Sequence, residues 1–391
     1  MKISKKTIEL RILSMVLLLI PLTGCAQNER EIKNDTVLWS FFDKIKSNQQ
    51  QNDRVITIVH IGDSHLQAGI LPEEIRNRLQ QEFGNSGYGF TFPYQLAKTN
   101  GTDLIEYKSN IDWLSQRIVF ENLGFPVGLS GIAFFTDRSD FYLNLKVKDP
   151  KYEFNQIRIF SPDNPSGFRI SQTQNENQPE LKSDSFQTIA KFKDEITAVS
   201  LIPDGNNSQY ALNGLILENG KPGILYHSIG VNGAKFTDYN KYPLFFDQLA
   251  ELKPDLIIIS LGTNTAFDKE DYSVLDFENH MNEFFINLKS RNIDAPMLVT
   301  TPPPALRSKS EQNPKVPEFG DDLIRRSEQL NYAVWDLYRF LGGYENSQRL
   351  ISEELWSEDR IHFSEKGYKQ QGAALADAII NSYREYQKSK D

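Results

Sequence analysis

Four short stretches of this chain hold residue types that, brought together, can attack a carbonyl carbon. Gly62-Asp63-Ser64-His65 offers a serine hydroxyl directly after a run of β-branched residues. Asp359-Arg360-Ile361-His362 places a carboxylate three residues before an imidazole. That spacing lets Asp359 accept from one ring nitrogen, which fixes the tautomer and leaves the other nitrogen to take the proton of Ser64. A serine hydroxyl is a weak nucleophile at neutral pH, so it needs such a base, and the base needs an orienting partner. The charge that develops on the attacked oxygen needs donors already in place. Gly230-Val231-Asn232-Gly233-Ala234 can expose a backbone N–H at a glycine, and Gly262-Thr263-Asn264 can offer the Asn264 amide. The N–H of Ser64 itself is a third candidate. Taken singly, each stretch is also an ordinary feature: a capping serine, a turn, an Asx turn, a residue pair at a helix start. It is the set of four that points to catalysis.

For the set to work, its members must stand on one rim. In an open parallel sheet, ligands bind beyond the carboxyl ends of the strands. Short apolar runs at 55–61, 224–229, 256–261, 297–301 and 333–337 read as strands. Between them, helical spacing covers 72–83, 244–252, 277–289, 321–330 and 364–386. Alternating strands and helices imply a parallel sheet covered on both faces, and three of the four stretches then fall just past strand ends. From residue 89 to 221 the rhythm changes to short alternating runs, as at 141–147, 156–160 and 196–202, separated by Pro, Gly, Asn and Asp. This reads as an all-β sandwich inserted into an α/β domain whose two parts span 54–88 and 222–391. Residues 26–53 read as a tether, a docking helix at 37–45 and a linker at 47–53.

Residues 1–25 read as a targeting segment. Lys2, Lys5, Lys6 and Arg11 precede a short apolar run at 12–20, too short to span a bilayer comfortably. Leu22-Thr23-Gly24-Cys25 comes next and resembles a bacterial lipobox, in which Cys25 becomes the lipid-modified first residue. It is the only cysteine of the 391 residues, so no internal disulfide can form. The expectation is an exported lipoprotein anchored to the cell envelope, at the outer membrane and facing the periplasm or the surface. A net charge of −9 argues against a nucleic-acid surface, which needs clustered Lys and Arg.

Other residues carry competing readings. His60 and His65 with Asp63 match part of a metallophosphatase site, but the remaining signatures of that class are missing and the chain holds five histidines in all. His65 reads instead as a neighbour of the site, and His227 and His280 as structural or exposed. The stretch Gly84-Asn85-Ser86-Gly87-Tyr88-Gly89 lacks the lysine and helix of a phosphate loop and reads as the way into the insert. Trp113, Tyr142 and Phe168 can pack a core or form a sugar platform, with packing the simpler role. Asp336, at a strand end, can imitate a catalytic acid, but Asp359 has the spacing to His362.

The order and identity of the four stretches resemble the SGNH (GDSL-type) hydrolase superfamily, over roughly residues 54–88 and 222–386. The resemblance implies a flavodoxin-like parallel sheet flanked by helices. It implies Ser64 as nucleophile and N–H donor, Gly233 and Asn264 as the other oxyanion donors, His362 as base and Asp359 as the third triad member. Gly233 matches in preference to Gly230 because the glycine of that block stands just before the turn residue, here Ala234. The stretches Ile61-Gly62-Asp63-Ser64-His65-Leu66-Gln67-Ala68-Gly69, Thr301-Pro302-Pro303 and Trp335-Asp336-Leu337 with Gly342-Gly343 are similar to the branch containing bacterial peptidoglycan O-acetylesterases. That branch carries a β domain like a carbohydrate-binding module in the same place. His65 stands where the best-known form has Leu, and Thr265 comes after Asn264 where Asp or Glu is usual. The resemblance implies an esterase acting on an acetylated envelope glycan, without a metal or organic cofactor. The rivals are an acetylesterase for another polysaccharide or for small esters, and a glycan-binding lipoprotein without catalysis.

Overall fold

The computed structural model describes residues 31–121, 124–162, 167–171, 178–184, 186–268 and 273–390. The targeting segment and Cys25 lie outside the described residues. A six-stranded sheet forms the centre. Its strands are β1 (Ile32–Lys33), β2 (Val55–Gly62), β3 (Gly223–Gly230), β4 (Leu256–Ser260), β5 (Met297–Thr300) and β6 (Ala333–Trp335), in the order β1-β6-β5-β4-β2-β3. All neighbours are parallel except β1, which pairs antiparallel with β6. Seven of the eight residues of β2 are buried, which is why it reads as a continuous apolar run rather than an alternating one.

The helices that cover the sheet form two groups. One comprises α1 (Trp39–Gln51), α2 (Ser64–Gln67), α3 (Ile70–Phe83) and α7 (Glu365–Lys390). The other comprises α4 (Pro243–Ala250), α5 (Val274–Lys289) and α6 (Lys315–Leu330). Helix α1 buries Phe41, Phe42 and Ile45, and Phe42 meets Tyr383 and Tyr386 of α7 with ring centroids 5.7 Å apart. Two expectations for this end are corrected. The helix continues through Gln51 where a linker was expected, because Asn52 turns the chain with φ 50° and the Asn48 side chain accepts the N–H of Arg54. The polar stretch read as tether contains β1, whose two residues are too few to show a period.

The β insert begins at strand Gly89–Thr91 and ends at strand Gly214–Glu218. These two pair antiparallel, Thr91 opposite Leu215 and Gly89 opposite Leu217. The chain therefore leaves and re-enters the α/β domain at one place, beside β3, where Asn85 bridges to Ile224. Among the described residues, the insert holds three antiparallel sheets, of five, four and three strands. Trp113 stacks on Phe134 at 4.5 Å, and Phe141 meets Trp113, Phe168 and Tyr210. Trp113 and Phe168 are thus core residues, while Tyr142 stays 40% exposed.

A buried cation bridges the two parts at the junction. Arg76 of α3 is buried with its guanidinium 4.1 Å from the ring centre of Tyr88 and 5.9 Å from that of Tyr152, and it pairs with Glu73. Tyr152, inside the insert, donates its hydroxyl to Glu73 at 2.9 Å. A buried charge is tolerated only when paired, so this cluster locks the insert onto α3.

Candidate active site

Register brings the four stretches together. Gly62 at the end of β2 is level with Gly230 of β3 and with Ser260 of β4. Ser64, Gly233 and Asn264 come two, three and four residues later, so all three emerge on one rim. Gly230 and Gly233 serve different ends. A Cβ on Gly230 would stand 2.6 Å from the N of Gln67, so a glycine there lets the end of β3 approach α2. Gly233 has φ 86° in an exposed turn, where a Cβ would only touch Val119 at an ordinary contact distance of 3.7 Å. Neither its N–H nor that of Ser64 has an acceptor among the described residues.

The fourth stretch arrives from the far end of the chain. Trp356 and Phe363 bridge antiparallel and pinch off a tight loop. Within it, Arg360 takes φ 59° and the N–H of Ser357 donates to the carbonyl of His362 at 2.9 Å. Asp359 Oδ1 accepts the N–H groups of Ile361 and His362, both at 2.9 Å, and Oδ2 lies 2.7 Å from His362 Nδ1. His362 Nε2 lies 2.8 Å from Ser64 Oγ. Burial pushes the Asp359 carboxyl upward, but the hydrogen bond from His362 and the two backbone donors outweigh it and hold the carboxyl below its ordinary value. An ionised Asp359 requires the proton on Nδ1, which leaves Nε2 to accept from Ser64.

Asn264 sits across from this line. Its Nδ2 donates to Asp63 Oδ2 at 3.1 Å and to the carbonyl of Ala234 at 3.2 Å. Asp63 is buried, and its Oδ1 accepts the N–H of His65 at 3.0 Å. Burial pushes its carboxyl up to about 7, against the pull of that N–H and of His362. Sequence reasoning treated Asp63 only as part of a motif; here it orients the Asn264 amide.

The histidines part company. His60 is buried between Tyr226 Oη and Ser260 Oγ, each 2.6 Å away. His65 is buried behind the site. Its Nδ1 is 3.0 Å from Tyr368 Oη and its ring centre 5.4 Å from that of His362. Burial holds both rings neutral, with pKa values lowered to about 3. His227 is buried as well. No cluster able to hold a metal occurs among the described residues. Asp336 is engaged elsewhere, by Thr301 Oγ1 and the N–H of Arg339, both at 3.1 Å, and by an ion pair with Arg339.

The rim opens into a cleft of about 660 Å³. Ala68, Ile70, Phe267, Ile361 and Phe363 make its apolar lining, and Asn100, Asn232 and Gly233 a polar one. Asn100 belongs to the insert. No local signal marks it in the sequence, because its role depends on where the insert folds back.

The family model for GDSL-like lipases and acylhydrolases matches residues 194–370. The α/β domain is an SGNH hydrolase domain of the GDSL type. The match includes Gly233, Asn264, Asp359 and His362, while Ser64 precedes it on the other side of the insert. Among solved structures, the chain is similar to a peptidoglycan O-acetylesterase at 21% identity, covering 88% of this chain and 96% of that one with a TM-score of 0.72. That agreement extends through both domains. It is also similar to a lipase/acylhydrolase from Enterococcus faecalis (22% identity, 41% of this chain, 77% of that one, TM-score 0.32). An acetylxylan esterase from Geobacillus stearothermophilus matches at 18% identity, over 41% of this chain and 73% of that one, with a TM-score of 0.31. No curated protein matches the sequence. The chain is a GDSL-type ester hydrolase with an SGNH fold interrupted by an antiparallel β domain.

Proposed function

We propose that this SGNH hydrolase removes O-acetyl groups from a cell-envelope glycan, most directly peptidoglycan, while held at the envelope by lipid on Cys25. The observation that carries the reading is the unbroken line from Ser64 through His362 to Asp359. His362 takes the proton of Ser64 as its oxygen attacks the acetyl carbonyl. The tetrahedral oxyanion lies among the N–H groups of Ser64 and Gly233 and the amide of Asn264. His362 returns the proton to the departing sugar hydroxyl, leaving an acetyl-enzyme. Water, deprotonated by the same imidazole, attacks this ester and acetate leaves. Ala68 and Ile70 line the same cleft as Ser64 and offer apolar surface that suits a methyl group. The solved protein that shares both domains is named a peptidoglycan O-acetylesterase, which supports the glycan reading.

Acetate release from O-acetylated peptidoglycan, acetylated xylan and p-nitrophenyl acetate tests this. We expect release from all three with the highest kcat/KM on peptidoglycan. Release from xylan alone moves the substrate there, and release from none overturns the esterase reading. For the anchor, intact mass should show acyl chains on Cys25, and Cys25→Ser should leave the membrane fraction. At least two chains are needed, since one gives only marginal binding. An unacylated wild-type protein sinks the anchor.

A further inference from the structure

Ser64 and His362 stand 2.8 Å apart but belong to segments separated by 298 residues of chain. Among the described residues, two hydrogen bonds join the turn that carries Ser64 to the segment that carries His362. One is the Ser64–His362 bond itself, and the other links His65 Nδ1 to Tyr368 Oη at 3.0 Å. A tyrosine hydroxyl both donates and accepts, so the second bond forms whichever ring tautomer His65 carries. Its two partners are buried and are rooted on opposite sides of the reaction. His65 follows Ser64 in the chain, and its N–H donates to Asp63 Oδ1 at 3.0 Å. Tyr368 stands in the first turn of α7, and its N–H donates to the carbonyl of Ser364, two residues past His362, at 2.9 Å. The His65 ring also packs on the loop of the base, with centroid distances of 5.4 Å to His362 and 6.2 Å to Phe363. The other hydrogen bonds of that loop are internal or run to the segment after β5, as from the N–H of Leu306 to the carbonyl of Arg360 at 3.0 Å. They shape the loop but do not tie it to Ser64.

The two bonds do not last equally through the reaction. In the resting enzyme the Ser64 hydroxyl donates to His362 Nε2. Once Oγ is esterified it has no hydrogen to donate, and that link is gone. The second step then still depends on the placement of His362. Nε2 takes a proton from water as the water oxygen bonds to the acetyl carbon. It returns the proton to Ser64 Oγ as the bond from Oγ to that carbon breaks, and acetic acid departs. Through this interval the bond between His65 and Tyr368 is the one that still ties the base to the turn of the serine. We propose that His65 and Tyr368 are positioning residues for deacetylation, which hold His362 over the acetyl-enzyme after its own bond to Ser64 is lost. The inference rests on the acetyl-enzyme route proposed above and adds a residue pair that acts on the second of its two steps. The Tyr368 ring lines the cleft, but its hydroxyl is turned to the buried His65.

Tyr368→Phe tests this, because it removes the hydroxyl and keeps the ring. With p-nitrophenyl acetate, kcat/KM reports the acetylation of Ser64. The decay of acetylated chain, followed by intact mass after acid quench, reports deacetylation. Tyr368→Phe should slow deacetylation by about 10-fold and leave kcat/KM within about 3-fold of the wild type. As the second step becomes limiting, kcat and KM fall together, p-nitrophenol appears in a burst, and acetylated chain accumulates. His65→Leu, which removes the other partner, should do the same. His65→Asn places an amide atom where Nδ1 stands, so it should deacetylate faster than His65→Leu. Equal slowing of both steps by Tyr368→Phe and His65→Leu would make the pair general structural support and overturn the inference. His65→Asn no faster than His65→Leu would assign the effect to ring packing and overturn the hydrogen-bonded hold. Unchanged deacetylation in Tyr368→Phe overturns the inference and leaves the serine mechanism standing. A wild type that turns over the ester without ever carrying acetyl on Ser64 overturns the acetyl-enzyme route together with this step.

Discussion

Ser64→Ala and His362→Ala should each lower kcat on an acetyl ester by roughly 10³ to 10⁶ while the fold stays intact. The size of the effect comes from the geometry. Ser64 Oγ has one base, His362 Nε2 at 2.8 Å, and that base is oriented by one carboxylate at 2.7 Å. Removing either end leaves only the oxyanion donors and the cleft, which still position water but offer no activated nucleophile. Because the two residues act as a unit, the double variant should lose little more than either single one. Both side chains are partly exposed, so neither change leaves a buried cavity, and circular dichroism and melting temperature should match the wild type. Kinetics with p-nitrophenyl acetate on purified protein provide the check. Near-normal turnover in folded Ser64→Ala would remove the serine mechanism.

Asn264→Ala should cost on the order of 10² to 10³ in kcat with little change in KM. The resting geometry explains why the effect belongs to the transition state. Asn264 Nδ2 spends its hydrogens on Asp63 Oδ2 and the Ala234 carbonyl, at 3.1 and 3.2 Å. These are long contacts, and a full negative charge forming beside the N–H groups of Ser64 and Gly233 competes well for one of those hydrogens. A neutral ground-state carbonyl competes poorly, so substrate binding gains little. Burial already pushes the Asp63 carboxyl up to about 7, and losing its amide donor drives it further toward the neutral acid rather than leaving an unpaired charge. The variant should therefore fold. A rise in KM with kcat unchanged would assign Asn264 to substrate binding instead.

Much of this protein was legible in the chain because the signals are local. A strand buried on both faces is apolar throughout, so β2, β3 and β4 announce themselves, and the residues after each of them must stand past a strand end. Asp359 and His362 are three residues apart, within reach of each other through a single turn. The switch from helical spacing to short alternating runs near residue 89 marks the insert for the same reason. Strand β1 was not legible, because its pairing depends on β6 some three hundred residues away. Nor was the third sheet of the insert, since counting short strands does not say which of them pair.

The linear chain already names the groups available for acyl transfer: a serine after a strand, an imidazole with its carboxylate, and candidate N–H donors at Gly233 and Asn264. Those are properties of residue type and short spacing. How they meet depends on the folded chain. Parallel register sets Gly62, Gly230 and Ser260 level, and the bridge between Trp356 and Phe363 carries His362 to Ser64 across 298 residues of chain. Tertiary structure also gave Asp63 its hold on Asn264. A hydrogen bond between distant residues leaves no periodic trace in sequence. Which atoms are spent and which remain free is settled only when the chain has closed on itself.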